Sequence, residues 1–192
     1  MTTIKLNTMK AFIYASTFFL VLITSCAEKG NNASKKQTTV EAPKMDIHSA
    51  ILANNLNVVK QHIEAGSDLN AKEPMAGSTP LMTACTFNQK EIAEALIKAN
   101  VDLSVKNNDG STALHTAAFF GRIEMVQLLI DAKADKTIKN NFGATARETV
   151  LGDFAQVKPI YEMLTQQLQP MGFTLDLTEV EKARPVIAMM LQ

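Results

Sequence analysis

A Gly-x-Thr triplet recurs every thirty-three residues, at Gly77, Gly110 and Gly143, with Thr79, Thr112 and Thr145 two positions on. A fixed period of this size means a stack of small units. No such unit buries its apolar face alone, so each must lean on its neighbours. The stretch Gly110 to Phe142 shows one unit whole, GSTALHTAAFFGRIEMVQLLIDAKADKTIKNNF. Two helical apolar patterns flank Gly121, and Ala134-Asp135 leads into a polar, Asn-rich run before the next triplet.

The residues inside the unit carry a resemblance. Thr112-Ala113-Leu114-His115-Thr116-Ala117 stands where the ankyrin repeat has Thr-Pro-Leu-His-x-Ala, and Thr79-Pro80-Leu81 supplies the proline. The chain therefore resembles ankyrin repeat proteins. That resemblance implies an all-α solenoid of helix-turn-helix repeats with β-hairpin-like fingers, followed here by an expanded C-terminal helical cap. The repeats are expected over residues 44–164, divided at about 44–75, 76–108, 109–141 and a degenerate 142–164, with the cap at 165–192.

The first 25 residues stand apart. Lys5 and Lys10 precede an uncharged apolar run, Ala11 to Ile23. Such a run is too short for a membrane-spanning helix and fits a signal-peptide core. Ile23-Thr24-Ser25-Cys26 resembles the bacterial lipobox. The resemblance implies cleavage before Cys26, lipid on its sulfur and a membrane anchor in the cell envelope, where more than one acyl chain makes attachment stable. Residues 26–43 then form a tether. Ala27 to Pro43 holds almost nothing apolar, so it cannot offset its ordering entropy, and it spans roughly 20–25 Å. Taking Lys5 and Lys10 from 19 basic residues leaves 17 against 19 acidic ones. With no block of like charge, a nucleic-acid partner is not expected.

Along the repeats, departures from the pattern locate the ends. Repeat one keeps Ile47-His48-Ser49-Ala50 but lacks the Gly-x-Thr turn, as a cap can. It closes with Ala65-Gly66-Ser67-Asp68-Leu69-Asn70, and Gly66 suits a left-handed helix end. Repeat two begins one residue late, which lengthens the finger at Glu73-Pro74-Met75. Its helices are expected near Pro80–Phe87 and Glu91–Ala99. Asn100 and Lys133 take the place of Gly66, and a left-handed lysine costs about one kcal/mol. In repeat four Arg147-Glu148 replaces Leu-His, and the second helix is not where the period puts it. Val157 to Gln169 reads as a longer helix. Thr178 and Glu181 read as a capping box for a last one, which Pro185 kinks or divides.

Candidate chemistry is thin. The resemblance assigns His48 and His115 to backbone hydrogen bonds between repeats, and His62 lies in a second helix. Three histidines so spread do not assemble a metal site. Cys85 occupies a small, stacked position, where it packs as alanine does. No nucleophile elbow or phosphate loop is present, so no catalysis, cofactor, metal or small-molecule substrate is expected. The surplus beyond architecture is aromatic. Phe87, Phe119 and Phe120 end first helices, while Met75 and Phe142 fall at finger tips beside Asn108, Asp109 and Asn141. Together they suggest an apolar strip with a polar rim, the anatomy of a protein-binding surface. The expected function is a membrane-anchored protein-binding module of the bacterial envelope. The alternative is an inhibitor or immunity-type protein that occludes an enzyme or toxin there.

Overall fold

The structure is a computed structural model that describes residues 41–192. The expected signal segment, Cys26 and most of the expected tether lie outside the described residues. Among those described, eight α-helices form: α1 (Ile47–Leu52), α2 (Leu56–Glu64), α3 (Pro80–Thr86), α4 (Lys90–Lys98), α5 (Ala113–Phe119), α6 (Ile123–Asp131), α7 (Phe154–Leu168) and α8 (Leu177–Met190). Single 3-10 turns occur at Glu148–Val150 and Gln169–Met171.

Local chemistry sets the helix starts and stops. Thr79 caps α3 by accepting the Met82 amide at 3.3 Å, and Pro80 sits in the first turn, where no amide donor is needed. In α1 the cap is Asp46, whose carboxylate accepts from the Ser49 amide and hydroxyl at 3.0 and 2.6 Å. Both bonds, the hydroxyl first, hold that carboxyl below its ordinary value. The second helices end in left-handed residues as the sequence implies, at Gly66, Asn100 and Lys133 with φ of 69°, 59° and 66°.

The helices stack in two layers. α1, α3 and α5 form one, and α2, α4 and α6 the other. Ala50, Ala84 and Ala117 let the first layer approach closely around Ile51, Leu81 and Leu114, while Val59, Ile92, Leu96, Met125 and Leu129 fill the second. The 3-10 turn at Glu148–Val150 continues the first layer and α8 continues the second. α8 runs beside α6 in the same direction: Val180 lies against Gly121 at its start, and Lys136 Nζ donates to the Gln192 carbonyl near its end. The fourth unit thus has both its elements. Its second helix is displaced in sequence because residues 151–176, including α7, are inserted between them.

The tail differs in detail from what its sequence implies. α7 begins at Phe154, three residues early, because Asp153 caps it through the Ala155 amide at 3.0 Å. It then runs unbroken across the 164/165 division drawn between repeats and cap, with Pro159 inside it. Thr178 and Glu181 do not cap α8. Asp176 does, accepting from the Thr178 and Glu179 amides at 2.8 and 3.3 Å, and a carboxylate at a helix start also suits the macrodipole. Pro185 lies within α8 without dividing it.

Candidate protein-binding surface

The residues singled out in the sequence fall at two opposite ends of the repeats. Fingers precede the first helices and the phenylalanines follow them. A seven-residue helix separates the two groups by about 10 Å.

At the finger end, one carboxamide or carboxylate organises each turn. Asn107 Oδ1 accepts from the Asp109 and Ser111 amides at 3.0 and 2.9 Å, and Asn140 Oδ1 does the same for Phe142 and Ala144 at 3.0 and 3.1 Å. In the longer first finger Glu73 takes this place, accepting from Met75, Ala76 and Ser78 at 2.7 to 2.9 Å. Burial pushes the Glu73 carboxyl up, but those three amides outweigh it and leave the group below its ordinary value. Successive fingers are then joined. Asn108 donates its backbone amide to Ala76 O and its side-chain amide to Met75 O, both at 3.0 Å. Asn141 repeats both bonds on Asp109 O and Asn108 O at 2.9 Å. Asn108 and Asn141, expected in the rim, are therefore engaged by their own neighbours. Asp109 is exposed, and Met75 and Phe142 protrude with 89% and 79% of their surface free.

At the other end, the insert covers the aromatics. Tyr161 of α7 is fully buried, stacks on Phe119 with centroids 4.5 Å apart, and donates its hydroxyl to Phe119 O at 2.7 Å. Burial pushes its phenol pKa up, and the Arg184 guanidinium, which donates to the hydroxyl at 3.3 Å, pulls the other way. Phe173 meets Phe120 and Phe87 edge-on at 5.4 and 5.7 Å. Phe120 keeps only 8% exposure, while Phe87 and Phe119 are half-buried. Arg122 donates to Thr86 O and Thr174 O at 3.2 and 3.4 Å, tying the insert to repeat two. The turn between helices holds Asn54 and Asn88 in repeats one and two but Gly121 in repeat three. There the α8 backbone passes so closely that a Cβ would sit 3.1 Å from Val180 Cα.

The sequence did not reveal this covering because Tyr161 and Phe173 lie outside the thirty-three-residue period. A signal existed in the spacing of Phe154, Val157, Tyr161, Leu164 and Leu168, an apolar face of α7 with no partner of its own. Phe119 stacks on Tyr161 and Phe120 meets Phe173, so both rings of the expected strip face the insert.

Titratable groups serve the architecture. His115 Nδ1 lies 3.2 Å from the Thr112 amide and Nε2 lies 3.1 Å from Ala144 O. His48 Nε2 meets Ala71 O at 3.0 Å, and His62 bridges Met45 O and Ser67 Oγ at 2.8 and 2.9 Å. Burial lowers the pKa of His115 and pushes the Cys85 thiol up to about 12, so that thiol stays neutral. Among the described residues, no three His, Cys, Asp or Glu side chains converge as a metal site. A hollow of about 410 Å³ between the Glu148–Val150 turn and α8 is a shallow surface depression, lined by Arg147, Leu151, Phe154, Arg184 and Met189 among others.

Comparison with known proteins agrees with this geometry. A family model described as ankyrin repeats, in three copies, matches residues 47–140. Human protein phosphatase 1 regulatory subunit 27 is 38% identical over 63 residues, and its mouse counterpart is 36% identical over the same length. Each alignment covers 33% of this chain and 40% of the relative, so the chain spans well under half the length of these curated relatives. Among solved structures, the ankyrin repeat domain of Bcl-3, a unique member of the IkappaB protein family, is 26% identical with a TM-score of 0.52. That match covers 54% of this chain and 45% of that one. Ankyrin repeats indicate a module for protein–protein interaction. Residues 47–140 are thus ankyrin repeats, and the fold they build is an all-α ankyrin-repeat solenoid.

Proposed function

We propose that the chain is a membrane-anchored binding module of the bacterial cell envelope that holds another protein on its finger side and performs no chemistry itself. One observation carries the choice of surface: Met75 and Phe142 stay exposed at finger tips, while the aromatics at the opposite end are covered by the chain's own insert. Large apolar side chains free of local packing, set among polar neighbours, are the usual anchors of an interface. The anchor rests on Ile23-Thr24-Ser25-Cys26. A second reading, that the bound partner is an enzyme or toxin held inactive, gains support from relatives named as regulatory subunits of a phosphatase.

The experiment is crosslinking in intact cells with labelled fatty acid present, using the natural chain and Cys26→Ser. The natural chain should carry label, sediment with membranes and capture one defined protein, while Cys26→Ser loses label and sedimentation. Unchanged labelling of Cys26→Ser would end the anchor reading, and no reproducible adduct would end the binding reading. A captured hydrolase whose activity falls on binding would favour the inhibitor.

A further inference from the structure

We infer that the groove between the fingers and the first helices takes an extended acidic segment of the partner, with a carboxylate at every third residue. This rests on the binding reading above and names the partner's chemistry. Lys72, Lys106 and Lys139 recur with the fingers, each just before the residue that organises its turn, Glu73, Asn107 or Asn140. All three are exposed, and among the described residues none pairs with a carboxylate. Lys106 Nζ donates to Lys139 O at 2.8 Å, so it lies along the column toward the next finger.

The acids beside this column are already engaged. Glu73 accepts three amides, Asp102 and Asp135 accept the amides and hydroxyls of Ser104 and Thr137, and Glu148 accepts the Thr145 amide. Asp109, at the middle tip, is the exposed exception. The column leans toward the first helices. Burial chiefly lowers the His115 pKa, and the Lys106 charge lowers it further. The Thr145 amide and hydroxyl hold the Glu148 carboxyl low, and Lys139 adds to that. His115 belongs to α5 and Glu148 to the turn that continues the first layer, so both lysines stand on the groove side.

Spacing decides the form of the segment. Stacked helices stand about 8–10 Å apart, and three residues of extended chain cover about 10 Å. A carboxylate at every third residue therefore meets one lysine per finger. Across the groove Thr83, Thr116 and Thr149 recur every thirty-three residues, half-buried, and donate their hydroxyls to Thr79 O, Thr112 O and Ala146 O at 3.2, 3.2 and 2.7 Å. Their oxygens keep lone pairs for the amides of an extended chain. A partner helix has no such amides to give, and it would meet threonines where it needs an apolar floor.

The test uses the full chain, isotopically labelled, and two peptides of one composition. Each carries three aspartates among serine and glycine, either at every third position or adjacent. At low salt the spaced peptide should shift the amide resonances of residues 72–74, 106–108 and 139–141. It should bind about fivefold more tightly than the clustered one, and the difference should fade as salt is added. Lys72→Gln combined with Lys139→Gln removes two ammoniums that hold nothing else among the described residues, so the unfolding midpoint should stay and the preference for spacing should go. Lys60→Gln, exposed on α2, should change neither. Equal binding of the two peptides, no binding, shifts confined to other residues, or an unchanged preference in the double variant would each overturn the inference. Equal shifts from a single-stranded oligonucleotide would overturn the choice of occupant. These probes need no cellular partner, so a failed titration beside a successful capture at Met75 removes the acidic segment and leaves the binding reading intact.

Discussion

The inter-helix end and the finger end of the stack both carry large apolar side chains and treat them oppositely. At the inter-helix end, Phe87, Phe119 and Phe120 become an internal interface, because the insert brings Tyr161 and Phe173 across them. At the finger end, main-chain and asparagine bonds join the turns, and Met75 and Phe142 are left to solvent. The lesson is that an aromatic beyond the needs of a repeat is not yet a binding residue. The deciding factor is whether the chain itself supplies a partner, and here it does so only where the insert passes.

The largest way to break this contrast is to remove α8. Deleting residues 178–192 takes Val180, Ile187 and Leu191 out of the core, a loss of about 5 kcal/mol or more from their burial alone. Thermal unfolding followed by circular dichroism should show the whole short array losing its cooperative transition, because each unit relies on its neighbours. An unchanged midpoint would mean that the fourth unit is an appendage.

Next are the phenylalanines. Phe120→Ala should cost about 3–5 kcal/mol, as for other core aromatics. Phe119→Ala should cost about 2 kcal/mol, since it surrenders the Tyr161 stack from a half-buried site. Denaturant unfolding distinguishes them, and a neutral Phe119→Ala would imply that α7 does not hold that end closed.

Finger against finger gives a sharper test. Gly110 and Gly143 share a positive φ, 71° and 76°, so alanine at either costs about 1 kcal/mol of strain. Only at Gly110 must the added Cβ also displace the Asn141 backbone, 2.8 Å away. Gly110→Ala should therefore lose at least twice as much as Gly143→Ala in the same unfolding assay. Equal losses would show that the fingers are not tightly joined.

The smallest effect concerns pH. Burial holds the His115 pKa below its ordinary value of 6.5, so on acidification the unfolded chain takes up that proton first. The histidine's contribution is complete above pH 6.5 and drains away as the pH falls. In His115→Gln the midpoint should drop less steeply between pH 7 and 5 than in the natural chain. An identical slope would place the acid sensitivity elsewhere.

Much of the fold was legible because a period makes each residue interpretable by its neighbours thirty-three places away. The left-handed Lys133 could be read in this way, as could the stacking place of Cys85 and the backbone roles of His48 and His115. The tail was harder, since residues 151–176 have no counterpart in the other repeats and Asp176 outcompetes Thr178 as a cap for reasons of geometry. The candidate site was half legible. Exposure of Met75 and Phe142 follows from turn positions, but covering of the phenylalanines depends on where a non-repeating segment folds back.

The central claim is that the finger side works while the inter-helix end stays covered. Photo-crosslinking residues placed singly at Met75, Phe142, Phe87 and Phe119 in intact cells test it most directly. The account predicts that Met75 and Phe142 yield the same partner adduct. Phe87 and Phe119 should yield only internal links, to the insert that carries Phe173 and Tyr161. Partner adducts at Phe87 or Phe119 with none at the fingers would contradict it, and would mean that the insert opens to expose the working surface.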